Sequence, residues 1–159
     1  IPALVDGTTH LKTGALTGLA LRLGGILTGE DAATNEKIAG LGASLGTALQ
    51  MYDDLSGLTN PARWAKGQED LSASRPTWPW AWLSTQLPAE RFRILQDHLS
   101  DAETRDLTTL RTTMVNELGG AHVLIGRKLD EARHQLIDLK AHSTKRIDDF
   151  INRLMTSYI

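Results

Sequence analysis

Apolar residues recur along this chain mostly at three- and four-residue intervals. Leu16, Leu19, Leu23, Ile26 and Leu27 fall at helical spacing and predict one helix or two over residues 3–28. Gly24-Gly25 is the expected bend, because glycine weakens a helix by roughly 1 kcal/mol per residue. Gly29 ends that element. A second helix is predicted over residues 31–56, with Asp31 as its N-cap. Its apolar stripe is Ile38, Leu41, Leu45, Leu49 and Tyr52. Gly42 and Gly46 sit four apart, so another helix can pack closely there.

Gly57, Asn60 and Pro61 break the pattern and predict a loop over residues 57–66. Residues 67–78 show no decided pattern. Pro79 suits the first turn of a helix towards Thr85, and Pro88 starts the next, to about His98. Further helices are expected from Asp101 to Leu118, from after Gly119-Gly120 to Lys140, and from Ser143 to the end. Valine and isoleucine runs are absent, and only two tyrosines and two phenylalanines occur, which argues against sheets. The expectation is a single all-α domain or half-domain over residues 1–159, helix packed on helix.

Composition narrows the function classes. The 159 residues are 41% hydrophobic and 23% charged, as in a globular domain. A net charge of −2 removes the electrostatic case for nucleic acid as the main partner. The absence of cysteine excludes disulfides, thiolate metal sites and a cysteine nucleophile, and it fits a cytoplasmic setting. The longest apolar stretch, Gly14 to Leu27, is interrupted by Arg22, so no transmembrane segment is expected. The chain opens Ile1-Pro2 without a signal-peptide pattern, which suggests numbering that begins inside a longer product.

The candidate chemistry starts at Asp53-Asp54, with Gln50 one turn earlier. Adjacent carboxylates supply the hard oxygen ligands that suit Mg²⁺, an ion that also borrows substrate phosphate oxygens. Asp148-Asp149 is a second such pair, without a nearby glutamine or basic loop, and it reads as a solvated face. Around the first pair stand Lys12-Thr13, Lys66 and Arg75. Carboxylates with dispersed cations are what a metal–diphosphate site requires, since lysine and arginine neutralise the charge left over by the metal.

The order of these pieces is KTGAL at 12–16, ALQMYDDLSGL at 48–58, AKGQEDL at 65–71 and SRPT at 74–77. That order resembles the polyprenyl synthetase family, the trans-isoprenyl diphosphate synthases, over about residues 5–83. The family carries a KT motif, then Gln-x-x-Asp-Asp-x-x-Asp, then Gly-Lys-x-x-x-Asp and a second basic residue before Thr-x-Pro. The resemblance implies the C-terminal half of an isoprenoid-synthase helical bundle. It implies catalytic roles for Asp53, Asp54, Lys12 and Lys66, with Asp53 and Asp54 as Mg²⁺ ligands. Lys12, Thr13, Gln50, Lys66 and Arg75 are implied contacts to an allylic diphosphate, and Asp70 orients the lysine loop or binds outer water. The implied reaction adds isopentenyl diphosphate to the allylic diphosphate. A dimer is implied as the assembly.

Three positions depart from that pattern. Gly57 stands where the third aspartate usually sits, although some family members share DDLxG. Lysine precedes glycine at 66–67, in a loop about one residue shorter, yet Lys66 keeps its place four residues before Asp70. Arg75 replaces a lysine, which keeps charge and changes hydrogen-bond geometry. The family's first aspartate-rich motif has no counterpart before Lys12. The chain is therefore expected to act with an N-terminal half, covalent or separate. A class I terpene cyclase on the same scaffold, and a non-catalytic subunit of a heteromeric synthase, are the alternatives.

Other features read as structural. Trp78, Trp80 and Trp82 are expected as core anchors ahead of an aromatic wall for a carbocation. Glu131-x-x-His134 lacks the second motif that a di-iron bundle needs. His134, Asp138 and His142 fall on one stripe that reads as an exposed helix face. His10 neighbours the KT motif but is not part of the family pattern. No P-loop and no nucleophilic-serine elbow is present.

Overall fold

The computed structural model describes residues 2–100, 106–138, 149, 152 and 153. Every regular element among them is helical. The order is α1 (Pro2–Thr9), a π-helical turn (His10–Gly14), α2 (Ala15–Leu27), α3 (Ala32–Thr59) and a 3-10 turn (Pro61–Arg63). Then follow α4 (Trp64–Ser72), α5 (Trp78–Gln86), α6 (Ala89–Ser100), α7 (Leu107–Glu117) and α8 (Ala121–Asp138). No helix of the described residues is long and apolar enough to cross a membrane. The start expected at Asp101, most of the helix expected from Ser143, and the positions Lys140, His142 and Asp148 lie outside the described residues.

The chain divides into two compact units. One holds residues up to Asp6 together with Asp53–His122; the other holds Gly7–Tyr52 and the chain from Val123 onward. In the second unit, α2 lies against the first part of α3 through small residues. A Cβ on Gly42 would meet the Gly18 Cα at 2.9 Å, and one on Gly46 would meet the Thr13 carbonyl oxygen at 2.7 Å. Both backbones have therefore closed past the distance that side chains allow. The expected close approach at Gly42 and Gly46 is found there.

The other side of α2 is different. Leu16, Leu19, Leu23, Ile26 and Leu27, the stripe that predicted the helix, are all more than half exposed. Gly14, Gly18 and Gly25 are the buried side instead. Period identified the helix, but packing selected the glycine face, because only that face lets α3 come close.

The interruption within residues 3–28 also falls elsewhere than expected. The helix continues without interruption through Gly24-Gly25, and Gly25 makes room for Asn35, whose amide oxygen occupies the space that a Cβ would take. The break in α-helical winding is the π-helical turn at His10–Gly14. Gly29 ends the element as expected, at φ +79°. Asp31 caps α3: its carboxylate accepts the Thr34 backbone N–H at 2.8 Å. Ile38, Leu41, Leu45 and Ala48 are buried core, as are Ile125, Leu129 and Ala132 of α8.

In the first unit, α5 packs on α6, α6 on α7, and α7 on α4. Trp78 and Trp80 are 4% and 5% exposed, which makes both core anchors. Trp80 meets Phe92 edge-on at 5.9 Å, and Trp78 stacks on Trp82 at 5.6 Å, one helical turn away. The loop expected over residues 57–66 shrinks to the surroundings of Asn60. α3 continues to Thr59, and the Asn60 side chain accepts the Ala62 N–H at 2.9 Å, starting the next turn. Asn60-Pro61 thus punctuates two helices without separating them by a loop.

Candidate functional site

Asp53 and Asp54 occupy the last turns of α3 and belong to the first unit. Consecutive helical residues point about 100° apart, so the two carboxylates take different partners. One oxygen of Asp53 accepts from the Arg63 guanidinium and the other from the Lys66 ammonium. Asp53 and Arg63 keep only 21% and 30% of their side-chain surface exposed, so this pairing is less screened than one at an open surface. Asp54 instead accepts the backbone N–H of Trp78 at 2.9 Å. It satisfies a donor of the first turn of α5 from outside that helix, where an anion is also favoured by the helix dipole.

Arg63 was not marked by the sequence, because it sits in what looked like loop. Its place three residues before Lys66 is the signal that a helical reading would have used, since both then reach one neighbour. A second cation comes from farther away in sequence. Arg111 of α7 lies 4.7 Å above the Trp64 ring and donates through Nε to the Leu58 carbonyl at 2.6 Å. It thereby satisfies a carbonyl in the last turn of α3.

Gly57 explains one departure from the family pattern. α4 crosses α3 here, and a Cβ on Gly57 would lie 3.4 Å from the Gly67 Cα. A Cβ on Gly67 would overlap the Gly57 carbonyl outright. The position of the missing third aspartate is where α4 passes, and the glycine following Lys66 is what allows the crossing.

Arg75 pairs with Asp70 at 2.9 Å and with Glu69 at 3.0 Å. These bonds, Asp70 first, hold the guanidinium proton even more firmly than usual. The backbone around it closes α4. The Arg75 N–H reaches the Asp70 carbonyl at 2.9 Å and the Ser74 N–H reaches the Leu71 carbonyl at 3.0 Å. Ser74 takes φ 51° at the left-handed position of this closure. Arg75 also edges a hollow of about 170 Å³ with Trp80, Gln96 and Leu99. That volume is below the ~300 Å³ at which ligand pockets begin.

In the second unit, Thr13 on the π-helical turn donates to the Gln50 side-chain oxygen at 2.6 Å. Lys12 precedes it on the same turn and is exposed. The structure therefore joins Thr13 with Gln50, Asp53 with Lys66, and Asp70 with Arg75. His134 is exposed, and its ring Nδ1 donates to the Asp130 carbonyl at 2.7 Å, in keeping with a solvated helix face. Asp149 is exposed as well.

Among the described residues no three histidine, aspartate or glutamate side chains converge as a closed metal cage. The donors that are present still suit Mg²⁺, which is bound through one or two carboxylates plus substrate phosphates. Asp53 is such a carboxylate, with the cations of Arg63 and Lys66 beside it.

Comparison with family models matches residues 6–115 to the polyprenyl synthetase model. No curated protein and no solved structure gave a match.

Proposed function

The chain belongs to the polyprenyl synthetase family, and from that premise we propose that it serves Mg²⁺-dependent transfer of an allylic prenyl group to isopentenyl diphosphate. The all-α architecture agrees with the family's helical bundle. The observation that carries the proposal is the pairing of Asp53 with Arg63 and Lys66 at the end of α3. A half-buried carboxylate flanked by two permanent donors is a site for a metal-bridged polyanion.

In the reaction, the C1–O bond of the allylic diphosphate breaks and its electron pair leaves with diphosphate. The allylic cation is attacked by the double bond of isopentenyl diphosphate, and loss of a proton restores an alkene. Mg²⁺, held by Asp53 and Asp54 and by diphosphate oxygens, would supply the charge that makes diphosphate a leaving group. The rest is the work of side chains. Lys66 and Arg75, with Lys12, neutralise the diphosphate charge that the carboxylates cannot take. Gln50, oriented by Thr13, offers its amide N–H₂ to a phosphate oxygen while its carbonyl stays engaged. Asp70 holds Arg75 in place.

The chain is proposed to act with an N-terminal half bearing the first acidic motif, covalent or separate, and to assemble as a dimer. The apolar face of α2, exposed among the described residues, supports a need for a further partner. Incubation with Mg²⁺, isopentenyl diphosphate and allylic diphosphates of several lengths, followed by product analysis, tests the proposal. Longer prenyl diphosphates are expected. Cyclic hydrocarbons or alcohols would move the assignment to a terpene cyclase, and no Mg²⁺-dependent consumption in the presence of the N-terminal half would remove it.

A further inference from the structure

α3 and α4 cross just beyond the turn at Asn60, and two glycines form the contact. Gly57 and Gly67 bring backbone against backbone, and neither offers a side chain that could interlock with the other helix. A contact of that kind sets the distance between two helices but holds the angle between them only loosely. The turn also leaves a carbonyl without its helical partner. In an unbroken helix the Leu58 carbonyl would accept the N–H four residues on, that of Ala62. The Ala62 N–H goes to the Asn60 side chain instead, at 2.9 Å. Leu58 is buried, so water is a poor substitute for the missing donor.

Arg111 of α7 answers both needs. Its Nε donates to the Leu58 carbonyl at 2.6 Å, and its guanidinium lies 4.7 Å from the centre of the Trp64 ring. Leu58 belongs to the last turn of α3, and Trp64 is the first residue of α4. One cation thus grips both helices. The ring in turn stands beside the crossing, since a Cβ on Gly67 would come within 3.3 Å of it. Lys66 follows Trp64 by two residues on α4 and pairs with Asp53 of α3. Trp64 and Lys66 point about 160° apart around their helix. A tilt of α4 that carries the ring away from Arg111 therefore also shifts the Lys66 ammonium relative to Asp53. We infer that Arg111 is a positioning residue of the candidate site, which by bridging the Leu58 carbonyl and the Trp64 ring fixes the angle between α3 and α4 and so holds Lys66 at Asp53. Its effect on turnover rests on the prenyl-transfer reading; its effect on the Asp53–Lys66 pair does not.

The test has two arms. The first is a double-mutant cycle in denaturant unfolding, Asp53→Asn against Lys66→Met, run on the wild-type chain and again on Arg111→Met. The cycle isolates the pair, because other interactions of either residue cancel. The Asp53–Lys66 coupling is expected to multiply the wild-type unfolding constant by at least ~2-fold and to fall towards no effect in Arg111→Met. Arg111→Lys keeps a point charge without the planar fork and is expected to fall between; it carries the test if Arg111→Met does not fold. A plain loss of stability would lower all four corners of the cycle alike and leave the coupling unchanged. Unchanged coupling, or none in the wild-type chain, overturns the role of Arg111. The second arm is prenyl transfer with Mg²⁺ and the N-terminal half. In Arg111→Met the KM for the allylic diphosphate is expected to rise and kcat/KM to fall by roughly 10–100-fold, as misplacement of a binding group does, with partial recovery in Arg111→Lys. A lower kcat at unchanged KM would reflect only a smaller folded fraction and would overturn the role. No turnover by the wild-type protein would remove the prenyl-transfer reading and leave the first arm to decide on Arg111.

Discussion

Gly57 and Gly67 meet backbone to backbone where α4 crosses the end of α3, and the two glycines are not equivalent. A Cβ on Gly67 would overlap the Gly57 carbonyl, whereas one on Gly57 would stand 3.4 Å from the Gly67 Cα, an ordinary contact. Gly67→Ala is accordingly expected to destabilise the fold by about 1–3 kcal/mol, as overpacking does. Gly57→Ala is expected to be neutral or to stabilise by up to about 1 kcal/mol through helix propensity. Denaturant unfolding of both variants checks the asymmetry, and equal losses would contradict it.

Ser74 closes α4 in a left-handed conformation at φ 51°, which glycine adopts without cost. Ser74→Gly is expected to raise stability by about 0.5–1 kcal/mol, and a β-branched Ser74→Val to lower it by more. Melting temperatures of the two variants should move in opposite directions.

The adjacent carboxylates share the proposed metal role but differ in their structural one. Asp54→Ala removes the acceptor of the Trp78 N–H and is expected to cost about 1 kcal/mol of stability, as loss of a helix cap does. Asp53→Ala should abolish Mg²⁺-dependent turnover measured together with the N-terminal half. Asp149→Ala, on an exposed position, should leave turnover at the wild-type rate. Equal losses from Asp53→Ala and Asp149→Ala would remove the basis for choosing the first pair.

Two caps predict an acid transition. The Asp31 carboxyl is held below its ordinary value by the Thr34 backbone N–H, and that of Asp106 by the Thr109 hydroxyl and the backbone N–H groups of Thr109 and Thr108. Depressed folded-state values mean stability that is present above the unfolded carboxylate range, about pH 4. It is lost as the pH falls below that range through the folded values. Thermal melts followed by circular dichroism between about pH 5 and 2 should show a smaller acid loss in the double variant Asp31→Asn, Asp106→Asn than in wild type. An unchanged pH profile would contradict the caps.

The outer face of α2 gives the converse test of its apolar stripe. Leu19 and Leu23 are 53% and 52% exposed. Leu19→Lys and Leu23→Lys should each change stability by no more than about 0.5 kcal/mol, whereas buried leucines would cost several times that. Chemical denaturation of the two variants decides between an exposed and a buried stripe.

What the sequence determined by itself is local. Helical period located α3 and the all-α class, because i, i+3, i+4 spacing is a property of the chain alone. Asp31, Gly29 and Pro79 marked helix ends for equally local reasons, a side-chain acceptor, a left-handed φ and a missing N–H. The motif order marked Lys12, Thr13, Gln50, Asp53, Asp54, Lys66 and Arg75. Tertiary structure decided the rest. It turned α2 so that Gly14, Gly18 and Gly25 are buried and Leu16, Leu19 and Leu23 are not, since close approach of α3 outweighed burial of leucine within this chain. It sent Asp53 and Asp54 to different partners and brought Arg63 to Asp53 across a stretch that looked like loop. It set α4 against the position of the missing third aspartate, and that crossing is a relation between two backbones that neither segment specifies alone.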